Sequence, residues 1–370
     1  MNGMPVEPKI TEYLYQKATR AEIPFSGTFE LTPVCNMDCK MCYVRMSRQE
    51  QESIAPLADA SQWLELGKKA RDAGMLYLLL TGGEPFSHPQ FREILEGLHE
   101  MGLLININSN GTLIDEDTVN WLKHCPPTRI NISLYGVSDE TYGRLCGNPH
   151  GFTQTDRAIR LLREAGIPVK LSCSLTPHNA GELAGIVEYA KQRELYVQIA
   201  TYMFPPVRKD PAGFGNNQRF TPEEGAYYTA YADYLTRGKE RFLEAGGMLP
   251  PPPPEEECAG VGDGILCRAG RCSFWITWQG DMMPCGMFPV EPGANVFRQP
   301  FEEAWEIVKK RAAEVRLPAT CGKCQARNTC RACAAMVYTE SGNFSEIPRY
   351  RCDMTKAYPA QWQRVKEGME

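Results

Sequence analysis

The stretch VCNMDCKMCY, residues 34–43, carries three cysteines, Cys35, Cys39 and Cys42, in the spacing C-x3-C-x2-C. Segment 28–32, just before it, has the composition of a β-strand, so the cysteines stand in the loop that follows a strand. Such a loop lets three sulfur atoms converge, and thiolates are the ligands of iron–sulfur clusters, which usually take four. Three thiols therefore predict a cluster with one open iron for a small molecule. Scattered structural thiols are the alternative, but free cysteines do not normally gather in one short loop.

Composition narrows the class of protein. The chain has 370 residues, with Lys+Arg 40 against Asp+Glu 45, a net charge of −5 that disfavours nucleic acid as a partner. Segment 1–23 has no apolar signal-peptide core, and the apolar run 75–80 is too short to span a membrane. The odd count of 15 cysteines is not typical of a disulfide scaffold. We therefore expect a cytoplasmic protein whose clustered thiols bind metal or perform redox chemistry.

Strand-like and helix-like segments alternate outward from the cysteine loop. Helical patterns, the first with Ser61 as a candidate N-cap, separate the strand-like segments. This alternation predicts parallel strands with right-handed crossovers, hence an α/β sheet or partial barrel whose ligands bind at the carboxyl ends of the strands. The predicted strands are 28–32, 76–81, 103–108, 129–134, 169–175 and 195–202, and the predicted helices are 61–73, 89–101, 115–124, 154–165 and 180–193.

The alternation stops after residue 204. A helix-like stretch, 222–243, is followed by five prolines at 250–254, which we interpret as an extended spacer. Nine of the 15 cysteines lie beyond it, between Cys258 and Cys352. The predicted divisions are an N-terminal extension (1–25), an α/β domain (26–215), a helical and proline-rich bridge (216–260), a cysteine-rich domain (261–352) and a C-terminal surface helix (353–370).

The cysteine motif after a first strand resembles that of the radical SAM superfamily. The resemblance implies a partial (β/α)6 barrel, a 4Fe–4S cluster on Cys35, Cys39 and Cys42, and S-adenosylmethionine (SAM) on the fourth iron. Reductive cleavage of SAM then yields a 5′-deoxyadenosyl radical, with a flavodoxin or ferredoxin as reductant. Anaerobic chemistry follows from the same resemblance. The residues expected to bind the cofactor are Tyr43, the turn Gly82-Gly83-Glu84-Pro85, Asn106, Asn108, Ser133 and Arg144.

Two of these expectations have a physical basis of their own. Glycines at the turn let backbone carbonyls approach a ligand, and the Glu84 carboxylate would balance the SAM ammonium. On a strand, Asn106 and Asn108 share one face, while Ile105 and Ile107 face the helices. A solvated edge strand is the alternative for this segment.

The second cysteine group has the pattern Cys321-x2-Cys324-x5-Cys330-x2-Cys333, with Cys352 beyond it. It resembles the SPASM extension of radical SAM enzymes, which implies two auxiliary 4Fe–4S clusters. The resemblance assigns Cys330 and Cys333 to different clusters, although the family more often has three residues between them. Zinc is the alternative ion that the spacing leaves open. The implied sets are Cys267, Cys272, Cys285 and Cys333 for the first cluster, and Cys321, Cys324, Cys330 and Cys352 for the second.

Four cysteines remain, Cys125, Cys146, Cys173 and Cys258, and the default for each is a small buried apolar side chain. Cys173, on a predicted strand that could face the barrel, and Cys258, at the entrance to the cysteine-rich domain, are candidate hydrogen-atom donors to a substrate radical.

The leading hypothesis is oxidative crosslinking of a ribosomally synthesised peptide. About 25 residues precede the first strand, too few for a peptide-recognition domain, so a leader-binding protein would be a separate partner. Formylglycine formation is disfavoured, because Gly286 stands where anaerobic sulfatase maturases carry an aspartate base. The alternative is a small-molecule dehydrogenase or epimerase acting on a sugar or aminocyclitol. A non-enzymatic electron-transfer protein is the third possibility, and the three-cysteine site argues against it.

Overall fold

The structure is a computed structural model that describes residues 9–210, 213, 218–248, 264–265, 267–289, 293–322, 324, 326, 330 and 332–368. One sheet of eight strands runs through it in the order β6-β5-β4-β3-β2-β1-β7-β8. Every neighbouring pair is parallel except β7 and β8. This confirms the α/β class and the six strands of the first domain. The strands are β1 Ser26–Glu30, β2 Tyr77–Thr81, β3 Leu104–Ser109, β4 Arg129–Ser133, β5 Val169–Ser174, β6 Val197–Ala200, β7 Ser273–Ile276 and β8 Met282–Met283.

Helices connect the strands. They are α1 Lys9–Ala21, α2 Arg48–Ile54, α3 Ala60–Asp72, α4 Phe91–Glu100, α5 Glu116–Leu122, α6 Asp139–Cys146, α7 Gly151–Glu164, α8 Leu183–Gln192, α9 Pro222–Arg237, α10 Lys239–Glu244, α11 Phe301–Glu314, α12 Ala319–Gly322, α13 Ala334–Ser341 and α14 Arg349–Glu367. The predicted N-cap Ser61 is wrong, because the Asp59 carboxylate accepts the Gln62 amide at 2.9 Å and closes a capping box. The predicted helix 222–243 is interrupted at Gly238, which has φ +84°.

The main core lies between the sheet and its helices. Ile105, Ile107, Ile130 and Ile132 are all at most 2% exposed and pack in it. Since side chains alternate along a strand, the opposite face of β3 and β4 is left to polar residues. That face carries the candidate site.

The cysteine-rich region continues this sheet. β7 pairs in parallel with β1, with Thr28 opposite Trp275, and so adds a seventh parallel strand on the edge next to the first. The sequence analysis predicted a separate domain here and missed this strand. Four residues among cysteines show too little periodicity for a strand to be recognised.

The last helix is longer and more buried than a surface helix. It begins at Arg349, before the predicted 353, and Met354, Tyr358 and Trp362 are buried against α9 and α10. The Trp362 ring stacks on Phe242 with 5.1 Å between centroids. No helix in the described part of the chain combines the length and apolarity needed to cross a bilayer.

Candidate active site

The three cysteines of the first motif lie in the loop after β1. Backbone amides point at two of the sulfurs, from Met37 to Cys35 at 3.4 Å and from Arg45 to Cys42 at 3.3 Å. Such bonds favour the thiolate form that binds metal. Without metal, the pKa of the Cys35 thiol is raised to about 12, mainly by burial. Repulsion from Glu84, Cys39 and Cys42 contributes to the same shift. The three thiols are therefore close enough to repel one another once ionised.

The donor chemistry of this loop fits an iron–sulfur cluster. In the part of the chain that the structure describes, no group of three or more His, Cys, Asp or Glu side chains is drawn together tightly enough for one ion. A cube of four irons spreads its thiolates further apart, and soft sulfur ligands suit iron. Bound metal would hold the thiols deprotonated despite their raised pKa.

The turn Gly82-Gly83-Glu84-Pro85 is fastened directly to the chain that leads into the cysteine loop. The Gly83 amide donates to the Thr32 carbonyl at 2.6 Å and the Glu84 amide to the Val34 carbonyl at 2.9 Å. A Cβ on Gly83 would lie 2.5 Å from the carbonyl oxygens of Pro33 and Val34. Glycine is therefore needed for this close approach, which brings the turn against the cysteines.

The Glu84 carboxylate is fully buried and accepts three hydrogen bonds. The Asn110 amide donates at 2.8 Å, the Ser109 hydroxyl at 2.9 Å and the Phe86 amide at 3.2 Å. Burial raises the pKa of Glu84 to about 7 in spite of these bonds. A carboxylate offers about four acceptor positions, so one is left for a ligand ammonium.

Polar side chains line the face of β3 and β4 opposite the core, as predicted. Asn106 and Asn108 are half-buried there, and the side-chain Nδ2 of Asn131 donates to Asn108 Oδ1 at 2.7 Å. Asn110, just past β3, reaches the cysteine loop, donating to Asn36 Oδ1 at 2.9 Å and approaching Cys35 Sγ at 3.7 Å. The contact of Asn36 with this strand end was missed by sequence reasoning. An asparagine inside the cysteine motif was the available signal.

The other expected cofactor residues lie at the same edge of the sheet. Ser133 ends β4, and its carbonyl accepts from the Tyr142 hydroxyl at 3.2 Å. Arg144, on α6, donates to the His178 carbonyl at 2.9 Å, and its side chain is 47% exposed. Tyr43 follows Cys42, and burial raises its phenol pKa well above the usual range.

Helix α6, which sequence reasoning missed, braces the cysteine loop. The carbonyls of Cys146 and Leu145 accept the backbone amides of Asp38 at 2.8 Å and Lys40 at 3.0 Å. Cys146 is fully buried, as expected, and packs in an apolar cluster with Cys39. The C-terminal turn of α6 therefore fixes the backbone between the first and third cysteines.

The cysteine-rich region gathers its thiols in two places. Burial raises the pKa of the Cys285 thiol to about 12, and repulsion from Cys333 and Cys267 contributes. Cys330 instead lies 3.6 Å from Thr355 Oγ1, one helical turn beyond Cys352 on α14. The division of Cys330 and Cys333 between two clusters stays a prediction. Cys321 is half-buried and Cys324 is exposed.

Two sequence-based assignments are corrected. Cys272 is fully buried against α1, with its sulfur 3.0 Å from Thr19 Oγ1 and with Tyr15 and Phe25 around it, which contradicts its place in the first ligand set. Cys173 is 2% exposed in the main core, on the sheet face opposite Ser172, and so does not face the interior of the barrel. Spacing alone could not show these directions. Cys258, the other candidate hydrogen donor, lies outside the described residues.

Comparison with known proteins supports the same family. The profile of the Radical SAM superfamily matches residues 29–190. The AdoMet-dependent heme synthase of Methanosarcina barkeri is 24% identical over 87% of this chain and 94% of its own. The antilisterial bacteriocin subtilosin biosynthesis protein AlbA of Bacillus subtilis is 27% identical over 76% of this chain and 59% of its own. The structure of native anSMEcpe with bound AdoMet superposes with TM-score 0.68 at 18% identity, over 93% of this chain and 99% of that one.

The match begins within β1, covers the cysteine loop and the glycine turn, and ends in α8. Over residues 29–190 the chain is therefore similar to the Radical SAM superfamily, and its relatives include members of the SPASM-domain group of radical SAM enzymes.

Proposed function

We propose that this chain is a radical SAM enzyme that oxidatively crosslinks a ribosomally synthesised peptide. The observation that carries the proposal is the loop of Cys35, Cys39 and Cys42 held against the Gly82–Pro85 turn. With a 4Fe–4S cluster and SAM bound there, one electron from an external reductant would cleave SAM to methionine and a 5′-deoxyadenosyl radical, which would take a hydrogen atom from the substrate. Its relatives include AlbA, whose name assigns it to the biosynthesis of a bacteriocin.

The chain's own residues define the reaction chamber. Cys35, Cys39 and Cys42 would hold the cluster, and the amides at their sulfurs stabilise the thiolates. Glu84, supported by three donors, would receive the ammonium of SAM. Two auxiliary clusters, on Cys267, Cys285 and Cys333 and on the group near Cys352, would accept the electron that oxidative product formation releases. Gly286 provides no base beside Cys285, as expected for a reaction other than formylglycine formation.

The test is anaerobic co-expression with each short open reading frame beside the gene, followed by intact mass measurement of the peptide. A peptide lighter by two hydrogen atoms supports crosslinking, and fragmentation locates the bond. Cys39→Ala should abolish the mass change and remove the iron of one cluster. Cys125→Ala is the matched control, because Cys125 is buried in the main core. This variant should retain both the mass change of the peptide and the full iron content. A peptide whose mass is unchanged in ordinary water but which takes up deuterium in deuterated water would indicate an epimerase instead.

A small-molecule substrate is the second candidate, and one observation favours it. The match to the heme synthase covers 94% of that relative, whereas the match to AlbA covers 59%. The purified enzyme would then cleave SAM while leaving every neighbouring peptide unchanged, and would alter the absorption spectrum of an added heme precursor. The epimerase version is weakened, because Cys173 faces the core.

A further inference from the structure

A buried ion pair joins three parts of the molecule at the carboxyl edge of the sheet. Glu30 is the last residue of β1 and is 1% exposed. Arg208 comes from the segment after β6, and its two Nη atoms bind the two Glu30 oxygens at 2.9 and 3.0 Å. This two-point geometry is the strongest form of a carboxylate–guanidinium pair. Glu30 and Arg208 are called the interior ion pair below.

The interior ion pair contacts the cysteine-rich region at the residue beside a candidate ligand. Arg208 Nη1 also donates to the Gly286 carbonyl at 3.1 Å, next to Cys285. Trp275, on β7, donates its indole N–H to Glu30 at 3.1 Å. A Cβ on Gly286 would lie 3.0 Å from three atoms of that indole, so the ring occupies the space that a side chain after Cys285 would need.

The same guanidinium faces the first cysteine loop. Its carbon lies 5.7 Å from the centre of the Tyr43 ring, and Tyr43 directly follows Cys42. Arg208 therefore stands between the loop that would hold the SAM cluster and the loop that carries Cys285. Its contact with Glu30 also links the segment after β6 to β1, and these two strands are not neighbours in the sheet.

We propose that Glu30 and Arg208 are positioning residues that tie the segment after β6 to both cysteine loops and set the electrostatic field at a cluster bound through Cys285. The inference rests on the proposed function in one respect, that Cys285 is a cluster ligand. A reduced cluster carries one more negative charge than an oxidised one. A lone cation beside it therefore stabilises the reduced form, and a lone anion destabilises it.

The experiment uses the full chain with Cys35, Cys39 and Cys42 all changed to Ala, so that the paramagnetic signal comes from auxiliary clusters alone. Anaerobic redox titration then gives the midpoint potential in this background. Arg208→Met leaves Glu30 as a lone buried anion and should shift the potential downward. Glu30→Gln leaves Arg208 as a lone cation and should shift it upward. A purely structural role would not produce shifts of opposite sign.

Two further variants separate charge from geometry. Arg208→Lys keeps the charge but not the two-point fork. Arg208→Lys should keep the midpoint potential of the background protein. Thermolysin should cleave this variant within 201–210 faster than it cleaves the background protein. Arg193→Met removes an arginine that pairs with Asp156 on α7, and should change neither measurement. Shifts of the same sign, or no shift, in Arg208→Met and Glu30→Gln would overturn the inference alone. Absence of iron in the triple-cysteine background would overturn it together with the auxiliary clusters of the proposed function.

Discussion

Gly83 controls how closely the glycine turn approaches the cysteine loop. Its backbone lies against the carbonyls of Pro33 and Val34, where no other residue type fits without moving the chain. A sequence of two glycines, glutamate and proline indicates a turn, but a turn signal does not reveal what the turn touches.

Gly83→Ala is expected to destabilise this contact by about 1–3 kcal/mol, because its Cβ would fall 2.5 Å from two carbonyl oxygens. SAM affinity should fall with it. Thermal unfolding and SAM binding by calorimetry are the measurements. Gly181→Ala is the matched control, since a Cβ there meets nothing within 4 Å. Equal stability of the two variants would contradict the argument.

Individual residues also show the limits of sequence reasoning. The period-two placement of Asn106 and Asn108 was predictable, since strand geometry dictates which side chains share a face. The direction of a single cysteine such as Cys272 was not, because it depends on packing against α1, which is remote in sequence. The roles of Tyr43, Ser133 and Arg144 toward SAM stay predictions.

Helix α6 was missed, although its ends carry recognisable signals. The Ser138 hydroxyl accepts the Thr141 amide at 3.3 Å as an N-cap, and Gly147 closes the helix with φ +68°. Its eight residues offer little more than two turns of periodicity, so the pattern is weak. The helices α3, α4, α7 and α8, of 10 to 14 residues, were predicted because their apolar stripes repeat several times. The seven-residue α5 was predicted as well, whereas α1 and α11 were not.

The packing of α14 on α9 and α10 can be tested at one residue. Trp362 is 8% exposed, and Trp362→Ala should lower the free energy of unfolding by about 3–5 kcal/mol through loss of the buried ring. Urea unfolding followed by circular dichroism measures the change. Gln363→Ala, at the exposed neighbouring position, should have little effect. A small loss for Trp362→Ala would mean that α14 lies on the surface, as the sequence suggested.

At the scale of the whole molecule, the two cysteine-bearing regions share one sheet. The alternation of strands and helices predicted the first six strands, because each βα unit has its own local pattern. The pairing of β7 with β1 could not be predicted, since more than 240 residues separate the partners, Thr28 and Trp275 among them.

A fragment of residues 1–248 is therefore expected not to fold as an independent domain. Removing β7 leaves the backbone groups of Ser26–Phe29 unpaired on an edge and uncovers Gly27, against which Phe274 packs. We expect dye binding to exposed apolar surface and no cooperative thermal transition. A chain ending at Gly368 should behave as the full chain does. Cooperative unfolding of the 1–248 fragment would show that the regions are separable.

The ladder between β1 and β7 also has a consequence for evolution. The first cysteine loop leaves from β1 and Cys285 follows β8, and β7 lies between these two strands in the same sheet. Hydrogen bonds, and not a flexible linker, set the spacing of about 4.8 Å between neighbouring strands. Electron tunnelling slows steeply with distance, so the rate between clusters bound at these loops would be inherited with the sheet. Exposed loops outside the sheet could then diversify while the spacing of any clusters held at these loops stays unchanged.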